Sequence, residues 1–469
     1  MKFLLVNPPA ENTIETEVPE VLSQERGCNP PLGILYLASS LLAEGHTVDL
    51  VDAQVEEMSY PQIQAAVKKS KPDAVGLTAM SFTLIDALLA AKTVKSVDQD
   101  IKVIFGGPHP TIYPTETAAL DCVDFAVIGE GERTMLELAE ALEKGRPVDA
   151  VKGLAYMKNG KPVNTGFPPF IEDLDSLPFP ARKLTPYRKY SSLLAKRSPI
   201  TTIFTSRGCP YKCLFCDRPQ MGKRFRARSA VNVVDEMEEC VGLGIKEFLV
   251  YDDTFTIDRQ RVLSICSEIK RRGLDIGWDI RARVNTVDRE VLSALRIAGC
   301  ERIHYGVESG NEEILRILRK GITLPKVEEA FRLTKEAGIE TLAYFIIGSP
   351  SETRETIEDT IRFAIKLDPG YVHFSVMTPF PATELYLMGL REGVIKSDVW
   401  LDFAKNPQKD FTPPLWEENM NREELTRLLR QAYKRFYVRP RYIMSRVARI
   451  RSPAELWRKV KAGVKVVGM

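Results

Sequence analysis

Three cysteines fall within eight residues, Cys209, Cys213 and Cys216, in the stretch Arg-Gly-Cys-Pro-Tyr-Lys-Cys-Leu-Phe-Cys. Soft thiolates spaced Cys-x3-Cys-x2-Cys suit an iron–sulfur cluster, whose irons take cysteine sulfur. A fully protein-ligated cubane needs a fourth cysteine. The next one is Cys240, in a segment with helical periodicity. One iron is therefore left open, and an open metal position is where a catalyst takes up its reactant. A zinc knuckle is the competing reading, but zinc sites usually show two ligand pairs, and only one triplet is present.

The pattern Cys-x3-Cys-x-Phe-Cys resembles the signature of the radical S-adenosylmethionine (SAM) enzymes. The resemblance implies a [4Fe–4S] cluster on Cys209, Cys213 and Cys216, with the open iron chelating the amino and carboxylate groups of SAM. It also implies reductive cleavage of SAM to methionine and a 5′-deoxyadenosyl radical. Phe215, before the third cysteine, takes the place of the family's aromatic residue that lies against the adenine.

Elements must hold this loop in place. From residue 200, strand-like runs at Ile200–Thr205, Glu247–Tyr251, Ile276–Arg281, Arg302–Val307, Thr341–Ile347 and Tyr371–Met377 alternate with helical patterns. Six βα repeats predict a partial TIM-like (β/α)6 barrel over residues 200–378, with chemistry at the carboxyl ends of its strands. The cysteine loop follows the first strand. The second strand ends in Asp252-Asp253 where the family often has Gly-Gly-Glu, so Asp252 or Asp253 is the expected holder of the SAM ammonium. The third offers Arg283, beside Arg281, for a carboxylate. Glu308 after the fourth is read as an acceptor of ribose hydroxyls. Gly348 after the fifth opens Gly-Ser-Pro-Ser-Glu-Thr, close to the family's Gly-Leu-Pro-Gly-Glu-Thr, whose backbone reads the adenine edge.

Residues 1–145 show the same alternation, with five short apolar runs beginning at Phe3, Thr47, Ala74, Lys102 and Phe125. This predicts a flavodoxin-like (Rossmann-type) parallel-sheet domain. No G-x-G-x-x-G follows the first strand, which disfavours a dinucleotide. Asn7-Pro8-Pro9, Pro-Leu-Gly-Ile-Leu-Tyr-Leu-Ala at 31–38 and Gly106-Gly107-Pro108-His109 resemble the cobalamin-binding domain that precedes many radical SAM domains. By that resemblance Thr78, Ser81, Gly106, Gly107, Pro108, His109, Gly129 and Glu130 at the strand ends, with Asn7 and Pro8, are the candidate cobalamin contacts. The Asp-x-His-x-x-Gly motif that supplies a cobalt-ligating histidine in mutases is absent. His109 is the one histidine at a strand end of this domain, and reads more readily as a hydrogen-bonding residue than as a ligand.

Residues 146–199 are proline-rich and read as a linker with a small hairpin at Asn159-Gly160. In the C-terminal region, 379–469, Trp400–Trp416 reads as an irregular aromatic cap on the substrate side. Residues 421–469 carry 14 Lys/Arg against 3 Asp/Glu in a chain of net charge +2, so the rest is acidic. The basic helical tail reads either as an interfacial amphipathic helix, giving peripheral membrane contact through 439–469, or as a solvated face packed on the acidic body. No nucleic-acid module accompanies it. No apolar run is long enough to span a bilayer, no signal-peptide pattern is seen, and eight cysteines in 469 residues do not make a disulfide scaffold, so a reducing cytoplasm is expected.

The resemblance as a whole implies a cobalamin-dependent radical SAM enzyme of the branch holding the anaerobic magnesium-protoporphyrin monomethyl ester cyclase and the class B methyltransferases. The leading expectation is methyl transfer from methylcobalamin to an unactivated carbon of a small-molecule or lipid substrate, with SAM remethylating the cobalamin. Oxidative cyclisation or C–C bond formation on a tetrapyrrole or lipid is the alternative, and a non-catalytic iron–sulfur sensor or electron carrier is a third. An electron donor such as flavodoxin or ferredoxin is implied for the enzymatic readings.

Overall fold

Short apolar runs without polar alternation require burial on both faces, which a parallel sheet sandwiched by helices provides. The computed structural model describes residues 1–16, 27–217 and 222–447, and meets this requirement twice. In the first half, β1 (Lys2–Asn7), β2 (Thr47–Asp52), β3 (Ala74–Thr78), β4 (Lys102–Gly106) and β5 (Phe125–Val127) pair in parallel in the order β2-β1-β3-β4-β5. The strand order reverses beside β1, the switch point at which open α/β sheets bind ligands. Helices α1 (Leu32–Ala43), α2 (Tyr60–Ser70), α3 (Leu84–Val97), α4 (Pro108–Ile112), α5 (Pro114–Ala118) and α6 (Gly131–Glu143) accompany the sheet. Alternate residues of β1 feed two cores. Leu4 and Val6 join Ile63, Leu84 and Leu88 on one face, and Phe3 and Leu5 join Ile34, Met135 and Leu138 on the other.

Two features here depart from a plain loop-and-linker reading. Pro108 and Pro114 each open a short helix, at the position where a missing N–H costs nothing. The hairpin of β6 (Leu154–Lys158) and β7 (Lys161–Asn164) does not stand apart in the linker. It pairs antiparallel with β5 and carries the first sheet past residue 145. Asn159 and Gly160 both take positive φ, the geometry of a tight two-residue hairpin turn.

The second half holds β8 (Ile200–Ile203), β9 (Ser206–Arg207), β10 (Arg226–Ala227), β11 (Glu247–Val250), β12 (Gly277–Ala282), β13 (Cys300–Glu308), β14 (Glu340–Ile347) and β15 (Tyr371–Val376). Six of these form one all-parallel sheet in the order β8-β11-β12-β13-β14-β15, the strand layout of a partial barrel. Outside it lie α7 (Ala230–Gly242), α8 (Arg259–Arg271), α9 (Arg289–Ile297), α10 (Glu312–Ile317), α11 (Leu324–Glu336) and α12 (Arg354–Leu367). Ser229, Asp258, Asp288, Asn311 and Thr353 cap five of them with side-chain oxygens.

The chain ends in α13 (Glu384–Glu392), α14 (Val399–Lys405), α15 (Arg422–Tyr437) and α16 (Pro440–Val447). The stretch beginning at Trp400 is helical at its start, and its two ends pack on different surfaces: Trp416 joins Leu214 of the cysteine loop and Met377. Trp400 is fully buried and, with Tyr386, Ile395 and Phe403, shares a core with α2 and α3 of the first domain. Helix α15 instead closes the barrel, placing Leu425, Leu429, Tyr433 and Phe436 in the barrel's outer core. The end of the basic tail, residues 448–469, lies outside the described residues.

Candidate active site

The cysteine loop is pinned at both ends. Its flanks, β9 and β10, pair antiparallel, with Arg207 opposite Arg226. Just ahead of it, Asp252 accepts four hydrogen bonds, from the Thr205 and Ser206 amides at 2.7 and 3.0 Å and from their hydroxyls at 2.5 and 2.6 Å. That carboxylate is buried and its capacity is used within the chain. Of the expected pair only Asp253 remains exposed, and it takes the Gly208 N–H next to Cys209. In mid-loop, Leu214 donates to Leu318 O at 3.0 Å and packs with Ile314, Met377, Leu385 and Trp416.

Arg207 ties the loop to the other domain. Its guanidinium donates to Glu130 at 2.9 Å and to Glu132 at 2.6 Å, while Arg226 donates to Glu130 at 2.9 Å. The Ile171 amide adds 2.8 Å to the same carboxylate, and every side chain in this group is buried. Glu130 was expected at the cobalamin; its carboxylate is instead spent on the cluster loop, because two buried guanidiniums must be neutralised there.

The three thiols stand in different surroundings. Cys213 is buried, Cys209 half-buried and Cys216 exposed. Arg283 donates to Cys213 Sγ at 3.5 Å and stacks 3.8 Å from the Tyr211 ring centroid. It also donates to the Lys320 carbonyl. Arg283 thus grips the cysteine loop itself, rather than standing free for a SAM carboxylate. Lys320, which no sequence pattern singled out, is buried, pairs with Glu308 at 2.6 Å and lies 5.9 Å from the Phe215 centroid. Glu308 is consequently committed to an ion pair rather than open to ribose hydroxyls. It sits at a register shift in β13 with φ +74°, an uncommon conformation for a non-glycine residue and one that clusters at functional sites.

At the end of β14, Gly348 has φ +76°, and a Cβ there would lie 2.8 Å from Leu425 Cδ2. This glycine is required by the packing of α15. Glu352 turns back to accept from the Ser349 amide at 2.8 Å, and burial pushes its carboxyl up to about 8.

On the first domain, the C-terminal strand ends divide into a committed set and an accessible set. Asn7 donates to Asp52 at 2.7 Å, and the Pro8 carbonyl accepts from Gln54 at 3.0 Å. Ser81 meets His109 Nδ1 at 3.0 Å. His109 is fully buried, and burial drives it down to about 3, so it stays neutral; its Nε2 has no partner among the described residues. Gly129 lies under the Phe167 ring. By contrast Thr78, Gly106, Gly107 and Pro108 stay half-exposed. Gly107 takes φ +104°, and a Cβ on it would come within 3.1 Å of Ala79 O and 3.2 Å of Thr78 Oγ1. This is a close backbone approach that only glycine permits.

These residues fit the groups the sequence implies. Among the described residues no three His, Cys, Asp or Glu side chains converge on a single ion. Three separate thiols on one pinned loop suit a multi-iron cluster, in which each sulfur takes its own iron. The exposed Asp253 supplies a carboxylate for an ammonium group. The open cradle of Thr78 and Gly106–Pro108 suits an extended cofactor lying along the strand ends.

A parallel-sheet domain with such a cradle, fused to a six-stranded partial barrel with a three-cysteine loop, defines a cobalamin-type radical SAM enzyme. The comparisons agree. The Radical SAM superfamily model matches residues 203–364, and the B12 binding domain model matches residues 21–139. An uncharacterized methyltransferase of Pyrococcus horikoshii is 38% identical over 447 residues, 95% of this chain and 94% of the relative. The anaerobic magnesium-protoporphyrin IX monomethyl ester cyclase of Rubrivivax gelatinosus is 33% identical over 424 residues, 88% of this chain and 75% of the relative. Among solved structures, the methyltransferase TsrM of Kitasatospora setae shares the fold with a TM-score of 0.70 at 22% identity, covering 84% of this chain and 78% of that one. The radical enzyme OxsB shares it with a TM-score of 0.77 at 18% identity, over 99% of this chain and 72% of the other. The chain belongs to the cobalamin-binding radical SAM family. It is an enzyme whose cofactors are a [4Fe–4S] cluster, SAM and cobalamin.

Proposed function

We propose that this enzyme methylates an unactivated carbon of a small-molecule substrate. Bound, the cluster and SAM supply a 5′-deoxyadenosyl radical that removes a hydrogen atom, and cobalamin supplies the methyl group. The observation that carries this reading is the buried contact of Arg207 with Glu130 and Glu132. Arg207 lies two residues before Cys209, and Glu130 lies at the carboxyl end of β5. The ligand-bearing ends of the two sheets therefore adjoin, as a radical and its methyl donor require.

Within this reading each residue has a defined task. Cys209, Cys213 and Cys216 hold the cluster, and Asp252 fixes the backbone that presents them. Asp253 holds the SAM ammonium, and Phe215, braced by Lys320, lies against the adenine. Thr78 and Gly106–Pro108 hold the cobalamin tail. Leu214, Met377 and Trp416 keep water from the buried side of the loop. A low-potential donor, a flavodoxin or ferredoxin, provides the electron. The 1–145, 146–199, 200–378 and 379–469 division serves as the working domain map, with the β6–β7 hairpin attached to the first unit. In the described start of the basic tail, Ile443 and Met444 are exposed beside the exposed Arg441, which supports contact with an anionic surface. No helix among the described residues is long and apolar enough to cross a membrane. We place the enzyme in the cytoplasm on its cysteine usage.

The cyclase relatives favour a second reading, oxidative cyclisation, with the same cofactors. Products separate the two. Methyl transfer yields S-adenosylhomocysteine together with 5′-deoxyadenosine, whereas cyclisation yields 5′-deoxyadenosine alone. Cys213→Ala should abolish 5′-deoxyadenosine formation while cobalamin is retained. Undiminished SAM cleavage in that variant would refute the radical SAM assignment of the site.

A further inference from the structure

Along β12 to β15, alternate residues face the helices and the barrel lumen. The helix-facing set, with Ile280, Ile303, Tyr305, Phe345 and Phe374, is apolar and buried. The lumen-facing set is Asp279, Arg281, His304, Tyr344 and His373. Barrel interiors are ordinarily filled with layers of branched apolar side chains. Polar groups inside are costly unless partnered. Most of these are: His304 reaches Asp279 at 3.3 Å and the Tyr344 hydroxyl at 3.0 Å, and His373 lies 3.1 Å from the Tyr433 hydroxyl. Arg302 pairs with Asp279 at 3.4 Å.

Arg281 differs. Its guanidinium lies 4.1 Å from the Tyr251 ring centroid and shares a hydrogen bond with that side chain; the Asp253 carboxylate is near enough to feel its charge, but no carboxylate forms a direct ion pair with it among the described residues. Tyr251 is itself held from the other domain, since Asn29 Nδ2 donates to its hydroxyl at 2.8 Å. A half-buried guanidinium, oriented by a fixed aromatic ring and with no carboxylate in direct contact, is built to receive one. We propose that Arg281 seats an anionic oxygen group of the substrate, a carboxylate or phosphate, so that the enzyme acts on acidic molecules. Arg283, beside Cys213, stands two residues further along the same chain, about 7 Å of extended backbone. An anion on Arg281 would therefore hold the substrate within a few bonds of the cluster loop. Calling the guest a substrate rests on the methyl-transfer reading; the anion site itself does not.

The test uses anaerobic crystals of the reconstituted holoenzyme with SAM bound, soaked with selenate as a phosphate mimic or with 4-bromobenzoate as a carboxylate. Anomalous scattering locates each probe without turnover. The expected result is a selenium or bromine peak within hydrogen-bond reach of the Arg281 guanidinium. The peak should be lost in Arg281→Gln, with SAM affinity unchanged within about twofold. Which probe gives the peak distinguishes phosphate from carboxylate. The SAM carboxylate occupying Arg281, or both probes absent from the lumen, would overturn the proposal, and the wild-type crystals alone suffice to show either. A failure to transfer methyl groups would leave a peak at Arg281 standing, so the two readings fail separately.

Discussion

Asp252 and Asp253 are adjacent in sequence and opposite in use. Asp252 is consumed by four donors of the segment that launches the cysteine loop, while Asp253 faces outward beside Gly208. Asp253→Asn should therefore keep the cluster but weaken SAM binding about tenfold, the loss of roughly one charge-assisted contact. Asp252→Ala strands buried donors and should lower the iron content of the reconstituted protein instead. Equilibrium dialysis with SAM and iron assay separate these outcomes, and the reverse pattern would exchange the two roles. Glu352 carries a pH signature. Its carboxyl, ordinarily near 4.5, is pushed by burial to about 8, so the folded state keeps a proton that the unfolded chain releases. The stabilisation is complete below about 4.5 and is lost as pH rises toward 8. Urea midpoints should fall across that window in the wild type, and Glu352→Gln should flatten the slope; an equal slope in both would contradict the assignment. The cysteine triplet was legible in sequence because cluster ligation dictates local spacing. The partners of Asp252, Glu130 and Glu308 were not, because those partners lie 12 to 96 residues away and only the fold brings them together. Lys320 was opaque for the same reason, and the sequence placed Arg281 and Arg283 together without telling their uses apart: whether a cation is paired is decided in three dimensions.

At the scale of elements, strands and long helices could be read directly, since uninterrupted apolar runs and 3.6-residue periodicity both report burial. The short helices α4, α5 and α14 were not read, because five to seven residues carry too little periodicity and prolines mask two of them. The contact of greatest consequence joins elements that no local pattern connects, the end of β5 and β9. Glu130→Ala leaves Arg207 and Arg226 short of a buried counter-charge, and breaking such a pair costs about 3–5 kcal/mol. Beyond that loss, the separation of cobalt and cluster, read by pulsed dipolar EPR between cob(II)alamin and the reduced cluster, should broaden in Glu130→Ala. A distance distribution as narrow as the wild type's would show that Arg207 does not set the spacing. Helix α15 makes a similar demand on β14. Gly348→Ala introduces a Cβ against Leu425 at positive φ, and should destabilise the barrel by about 1–3 kcal/mol in denaturant titrations. Leu425→Ala empties a buried site of its own but removes the contact, so the double variant should lose less than the sum of the two single losses.

Among the described residues several ties hold the molecule as one unit. Arg207 links the cluster loop to β5, Tyr190 of the linker donates to Asp52 at 2.7 Å, and Trp400 returns from beyond the barrel to the core of the first domain. Trp400→Ala empties a fully buried site, at a cost of about 3–5 kcal/mol. It should reduce cobalamin retention before cluster content, since the side chain packs against the cobalamin domain and not the barrel. That return was hidden in the sequence, where aromatic residues 400–416 carry no mark of the surface they cover. The central claim is methyl transfer through cobalamin, and it can be tested without knowing the substrate. The reconstituted, cobalamin-loaded enzyme would be reduced anaerobically with SAM bearing a trideuterated methyl group, quenched in acid and analysed by mass spectrometry. The account predicts cobalamin carrying the deuterated methyl, with S-adenosylhomocysteine formed in equal amount. Unmethylated cobalamin with 5′-deoxyadenosine as the sole nucleoside product would contradict it and leave cyclisation as the function.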